Sequence, residues 1–127
     1  MTEYRIKAII AIILSVLFSI ANAEQWRVPY PYPTIQMAID VANNGDTVSV
    51  WGPPFQSQPF TYRETLDFLG KAIHVTNRSF IQEISGYPQN DSWVIIDAES
   101  RGTAVKIHNV TGRAVLQGFT IQNGRAA

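Results

Sequence analysis

The hydrophobic positions change period along the chain. Ala8 to Ile20 is an apolar run broken only by Ser15 and Ser19. Further on, Ile35, Ala38, Ile39 and Ala42 fall three and four residues apart, which lays one apolar stripe along a short helix. The helix is expected over residues 34–44. Pro31-Tyr32-Pro33 before it favours extended backbone, Thr34 is a suitable N-cap, and Gly45 tolerates the left-handed conformation that ends a helix. At about ten residues it is too short to stand alone in water, so it must lie on an apolar surface.

After Gly45 the period becomes two. Thr47–Trp51, Ala72–Thr76, Ala104–His108 and Gly118–Gln122 each alternate apolar with polar positions, and Glu64–Phe68 and Trp93–Asp97 are rich in strand formers. Turn signals separate them at Gly52-Pro53-Pro54, Gly70-Lys71, Gly86-Tyr87-Pro88, Gly102 and Gly112. Val48, Ile73, Ile95 and Phe119 follow one another at steps of 25, 22 and 24 residues. A steady period in the twenties predicts a solenoid in which each winding lays one strand on its predecessor. An antiparallel sandwich is the competing arrangement. It would favour short Asn-Gly or Asp-Gly hairpins, and none joins two strands here.

Several strings in this order are similar to those of right-handed parallel β-helix proteins of the pectin-lyase-like superfamily. They are Tyr32-Pro33-Thr34-Ile35-Gln36, Ala38-Ile39-Asp40 and Gly45-Asp46-Thr47-Val48, then Thr61-Tyr62-Arg63-Glu64, Leu66 to Phe68 and Gly70 to Val75. Val94 to Asp97 and Leu116 to Gly124 complete the series, which spans nearly all of residues 32–124. The stretch Gly52–Pro59 departs from the pattern by its length and reads as an inserted surface loop. The resemblance implies an all-β fold: a right-handed parallel β-helix, or solenoid, with an N-terminal capping α-helix. Ile35, Ile39 and Ala42 would cover the apolar end that such a stack exposes, as terminal repeats of solenoids do. The strand-like end at Gly124-Arg125-Ala126-Ala127 carries no comparable cap, so the β-helix is expected to be incomplete at its C-terminus.

Composition narrows the setting. The 127 residues hold 10 Lys+Arg and 10 Asp+Glu, which gives no basic excess for nucleic acid. The absence of Cys excludes disulfide scaffolds, thiol catalysis and cysteine-ligated metals. Residues 1–23 have the layout of a cleaved secretory signal. Arg5 and Lys7 precede the apolar run, and Ala21-Asn22-Ala23 supplies the small-x-small site. The run is shorter than the roughly 20 apolar residues of a membrane span. Residues 24–127 then form the mature domain, the cap and first coils of the β-helix, expected to be secreted, at the cell surface or in the periplasm.

Candidate chemistry is sparse. Polysaccharide lyases of the superfamily use calcium held by carboxylates with an Arg base, and Asp97, Glu99 and Arg101 form a local cluster of that composition. A solvated turn is the simpler account of it. His74 and His108 sit at outward strand positions and would suit a transition metal only if brought together with a third ligand. Trp51, Tyr62, Tyr87 and Trp93 offer faces for sugar stacking, though packing of loops against the core is the simpler account of them. Asn77, Asn90 and Asn109 match the glycosylation acceptor pattern, which matters only in a host with the enzyme for it. No catalytic, cofactor-binding or metal-ligating residue is assigned. The function expected is binding of a polysaccharide or cell-surface component, without catalysis in this segment. The alternative is the N-terminal part of a pectate-lyase-like enzyme, a lyase or glycoside hydrolase with its active site on coils further downstream and calcium as its cofactor.

Overall fold

The computed structural model of the chain describes residues 22–52, 59–78 and 94–126. The signal-like residues 1–21, residues 53–58 of the Gly52–Pro59 stretch, Tyr87, Asn90 and Trp93 lie outside them. Among the described residues the fold is mostly strands, with one short helix. In chain order the elements are β1 (Gln25–Val28), α1 (Ile35–Val41), β2 (Thr47–Val50), β3 (Phe60–Tyr62), β4 (Leu66–Asp67) and β5 (His74–Asn77). They continue with β6 (Val94–Asp97), β7 (Val105–Lys106), β8 (Val115–Gln117) and β9 (Thr120–Gln122).

Among the described residues every strand pair is parallel. Sheet A has the order β1-β2-β5-β8, sheet B the order β3-β6-β9, and sheet C pairs β4 with β7. From β2 onward the chain therefore visits A, B, C, then A, B, C, then A and B. Register stacks like on like. Trp26, Val48, Val75 and Leu116 lie in one column of sheet A, and Ile96 faces Ile121 in sheet B. The alternation fixes which residues point inward. Val48, Val50 and Val75 meet Tyr62, Leu66, Phe68, Val94 and Ile96 in one buried core.

The pairing corrects the spacing argument. Val48 and Val75 belong to sheet A, whereas Ile95 and Ile121 belong to sheet B. The step from Ile73 to Ile95 is thus a passage between sheets and not a return to the same one. Return steps vary: Val48 to Val75 is 27 residues, Ile96 to Ile121 is 25, and Val75 to Leu116 is 41. Connecting segments of unequal length absorb the difference without disturbing the ladders.

Helix α1 is shorter than expected, ending at Val41 with Ala42 already extended. Thr34 is the N-cap, its hydroxyl accepting the Met37 N–H at 3.1 Å. Gly45, with φ of +90°, serves the turn into β2 instead of the helix terminus. Ile35, Ala38, Ile39 and Ala42 are all buried in the core against the first strands. Both helix ends are held from a later part of the chain. The Ile35 and Gln36 amides donate to the Glu64 carboxylate, and Lys71 Nζ donates to the carbonyls of Ile39 and Asp40. A negative group at the N-terminus and a positive one at the C-terminus both complement the helix dipole. Gln36 adds a two-way tie to β4, donating to the Asp67 carbonyl and accepting the Asp67 N–H.

Strand β1 precedes the helix, so the element order is strand, helix, strands. At the other end the cover thins. Leu116 and Phe119 are only half-buried, and Ile107 and Ile121 are 45% and 46% exposed.

Candidate functional site

The carboxylates resemble catalytic material in sequence but are committed to structure. Asp97 Oδ1 accepts the Glu99 N–H at 2.8 Å and Asn123 Nδ2, while Oδ2 accepts Gln122 Nε2. These bonds, the Glu99 amide foremost, hold its carboxyl below the usual range. Glu99 is paired with Arg101 at 2.8 Å and Arg63 at 3.2 Å, and Arg101 also donates to the Arg63 carbonyl. The cluster of Asp97, Glu99 and Arg101 is a clasp that ties one pass of the chain to the next. Among the described residues no group of three or more His, Asp or Glu is placed to hold a metal ion.

The two histidines are apart. His74 opens β5 in sheet A, whereas His108 follows β7 of sheet C and lies with Nε2 3.5 Å from Asp67 Oδ1. Asp67 also accepts the Leu69 N–H, and this bond is the main reason its carboxyl sits below the usual range. The aromatics divide similarly. Tyr62 is buried, edge-on to Phe60, and donates its hydroxyl hydrogen to the Trp51 carbonyl; burial and the nearby Glu64 push the phenol upward. Trp51 carries the Arg78 guanidinium 4.2 Å above its ring. These two rings pack within the protein; Tyr87 and Trp93 lie outside the described residues.

A concave site does occur where strand residues of sheet A meet two turns. Asp46, Ala72, His74, Arg113, Val115 and Gln117 line a cavity of about 210 Å³. The ladder puts His74 beside Val115 and Thr76 beside Gln117, so the wall is set by strand pairing. Asp46 is the fixed point. Its Oδ1 accepts the Glu24 N–H, and its Oδ2 accepts Trp26 Nε1 and the Asn43 N–H, all at 2.8–2.9 Å. Burial works against its ionisation and is the largest single influence. The three hydrogen bonds and the charge of Lys71 together outweigh it and hold the carboxyl below the usual range.

The other polar side chains of the cavity are uncommitted. Among the described residues, Arg113 and Gln117 make no side-chain hydrogen bond or ion pair. His74 Nε2 is shielded from solvent and has no hydrogen-bond partner among the described residues. Buried polar atoms without partners are rare in native proteins and cost stability. His74 stands out in the sequence as an outward strand position, whereas Arg113 and Gln117 carry no local signal, because 41 residues separate His74 from its register neighbour Val115. Nothing in local spacing joins them.

No protein-family description, curated protein or solved structure matches this chain.

Proposed function

We propose that the chain is a right-handed parallel β-helix capped by α1, and that it works outside the cytoplasm as a carbohydrate- or surface-binding module without catalysis in this segment. The observation that carries the fold reading is the repeated passage of the chain through three parallel sheets in one fixed order. Parallel strands cannot be joined by tight hairpins, and a continuous winding meets that demand with short connections such as Gly118-Phe119 between β8 and β9. The setting follows from residues 1–23, which combine cations, a short apolar run and a small-x-small site.

The binding reading rests on the cavity of sheet A, where uncommitted polar groups converge on a rigid wall. The carboxylates that a lyase would need for calcium are engaged by backbone amides, amide side chains and guanidinium groups. Incubation of the purified chain with insoluble polysaccharides and with whole cells tests the reading. Retention on at least one of them, with no release of soluble sugar, is expected. Passage of the chain through all of them would count against binding, and calcium-dependent release of unsaturated sugars would count for the enzyme.

A further inference from the structure

We infer that the sheet A cavity recognises a neutral, polyhydroxylated group the size of a single sugar ring, through Arg113 and Gln117. This rests on the carbohydrate-binding reading above and makes it specific. Charge is the first argument. Among the described residues its lining has one cation, Arg113, and one carboxylate, Asp46, held ionised by its own hydrogen bonds. An acidic ligand drawn to Arg113 would meet Asp46, and a cationic one drawn to Asp46 would meet Arg113. A ligand without charge meets neither penalty.

The second argument is hydrogen-bond capacity. The Arg113 guanidinium offers only donors, the Gln117 amide offers both donors and an acceptor, and a carboxylate only accepts. A hydroxyl donates and accepts at once, so a set of neighbouring hydroxyls matches this mixture where a carboxylate or an ammonium would not. The groups are free to respond, since Arg113 and Gln117 have no partners among the described residues. Val115 and Ala72 supply an apolar surface for the C–H face of a ring. Size is the third argument. About 210 Å³ is less than the roughly 300 Å³ at which pockets for drug-sized ligands begin.

Titration of the isotope-labelled chain followed by NMR tests this with glucose, galactose, mannose and inositol as neutral probes, and galacturonate and acetate as acidic ones. At least one neutral probe should shift the amides of Gly45, His74, Arg113 and Gln117, and Arg113→Ala and Gln117→Ala should each weaken it about tenfold or more. Melting temperature should stay unchanged in both variants. An acidic probe binding about tenfold tighter than its neutral counterpart, or no shift at these positions with any probe, would overturn the inference. Retention on insoluble polysaccharide separates the two levels. Unchanged retention of Arg113→Ala and Gln117→Ala would sink this site and leave the binding reading standing, whereas loss of all retention by the unaltered chain would sink both.

Discussion

The Glu64 carboxylate accepts the backbone N–H of Gln36 at 2.8 Å, across 28 residues of sequence, and that of Ile35 at 3.1 Å. One side chain from the segment after β3 thereby closes the open end of a helix laid down much earlier. Its role is invisible in local sequence, because neither residue signals the other. Glu64→Ala should cost about 1–2 kcal/mol, the range for losing a helix cap together with hydrogen bonds to a charged group. Urea unfolding measures it, and a loss within a few tenths of zero would mean that the helix does not depend on this tie.

The core face of α1 carries a larger share. Ile39 is fully buried between the helix and the first strands. Ile39→Ala should destabilise by about 2–5 kcal/mol. Ile39→Asp should also promote association, because an uncovered sheet end presents apolar surface and unpaired backbone to other chains. Light scattering after gel filtration reads this; a monomer as stable as the parent would contradict the capping role.

Lys71 holds the opposite end of the helix through the carbonyls of Ile39 and Asp40. Lys71→Met keeps the aliphatic stem and removes the charge, so it should cost about 0.3–1 kcal/mol. The loss should shrink in high salt, as expected for a charge near the surface, and thermal melts at two ionic strengths check it.

Acid stability should be shaped by two opposing groups of carboxylates. Asp46, Asp67 and Asp97 sit below their ordinary value of 3.8 in the folded chain. Their contributions are therefore present above that value and lost as pH falls below it through the folded values. Glu64 is opposite: burial, outweighing its two backbone hydrogen bonds, raises it above 4.5. Its titration costs stability as pH rises from 4.5 through the folded value. Unfolding free energy measured from pH 2 upward should rise steeply at first, with Asp46→Asn and Asp97→Asn flattening that limb. Glu64→Gln should flatten the loss above 4.5 and leave the acid limb in place.

Much of this was legible from residue order. Thr34 and the Ile35–Ala42 stripe identified the helix and its buried face, and Val48, Val50 and Val75 identified inward positions of sheet A. Strand β1 was missed because four residues, Gln25–Val28, carry only one full alternation before a proline. The strand expected over Gly118–Gln122 starts only at Thr120, because Gly118, with φ of +83°, turns the chain from Val115–Gln117 in sheet A into sheet B. The corner is held by Asn77 Nδ2, which donates to the Gly118 carbonyl from 41 residues away. The string Thr61-Tyr62-Arg63-Glu64 carries a family resemblance in sequence but no sign of what each member does. Its members have separate tasks: Tyr62 fills core, Arg63 meets Glu99, and Glu64 caps α1. The cavity could not be anticipated, since its walls are joined by strand register and not by spacing.

The winding of the chain is tested most directly by proton–proton contacts across the strands in NMR spectra. Parallel register predicts amide-to-α contacts linking Trp26 to Val48, Val48 to Val75 and Val75 to Leu116, with separate sets joining Ile96 to Ile121 and Leu66 to Val105. Strong α-to-α contacts between neighbours, which close antiparallel pairs produce, or any ladder joining β2 to β3, would contradict it.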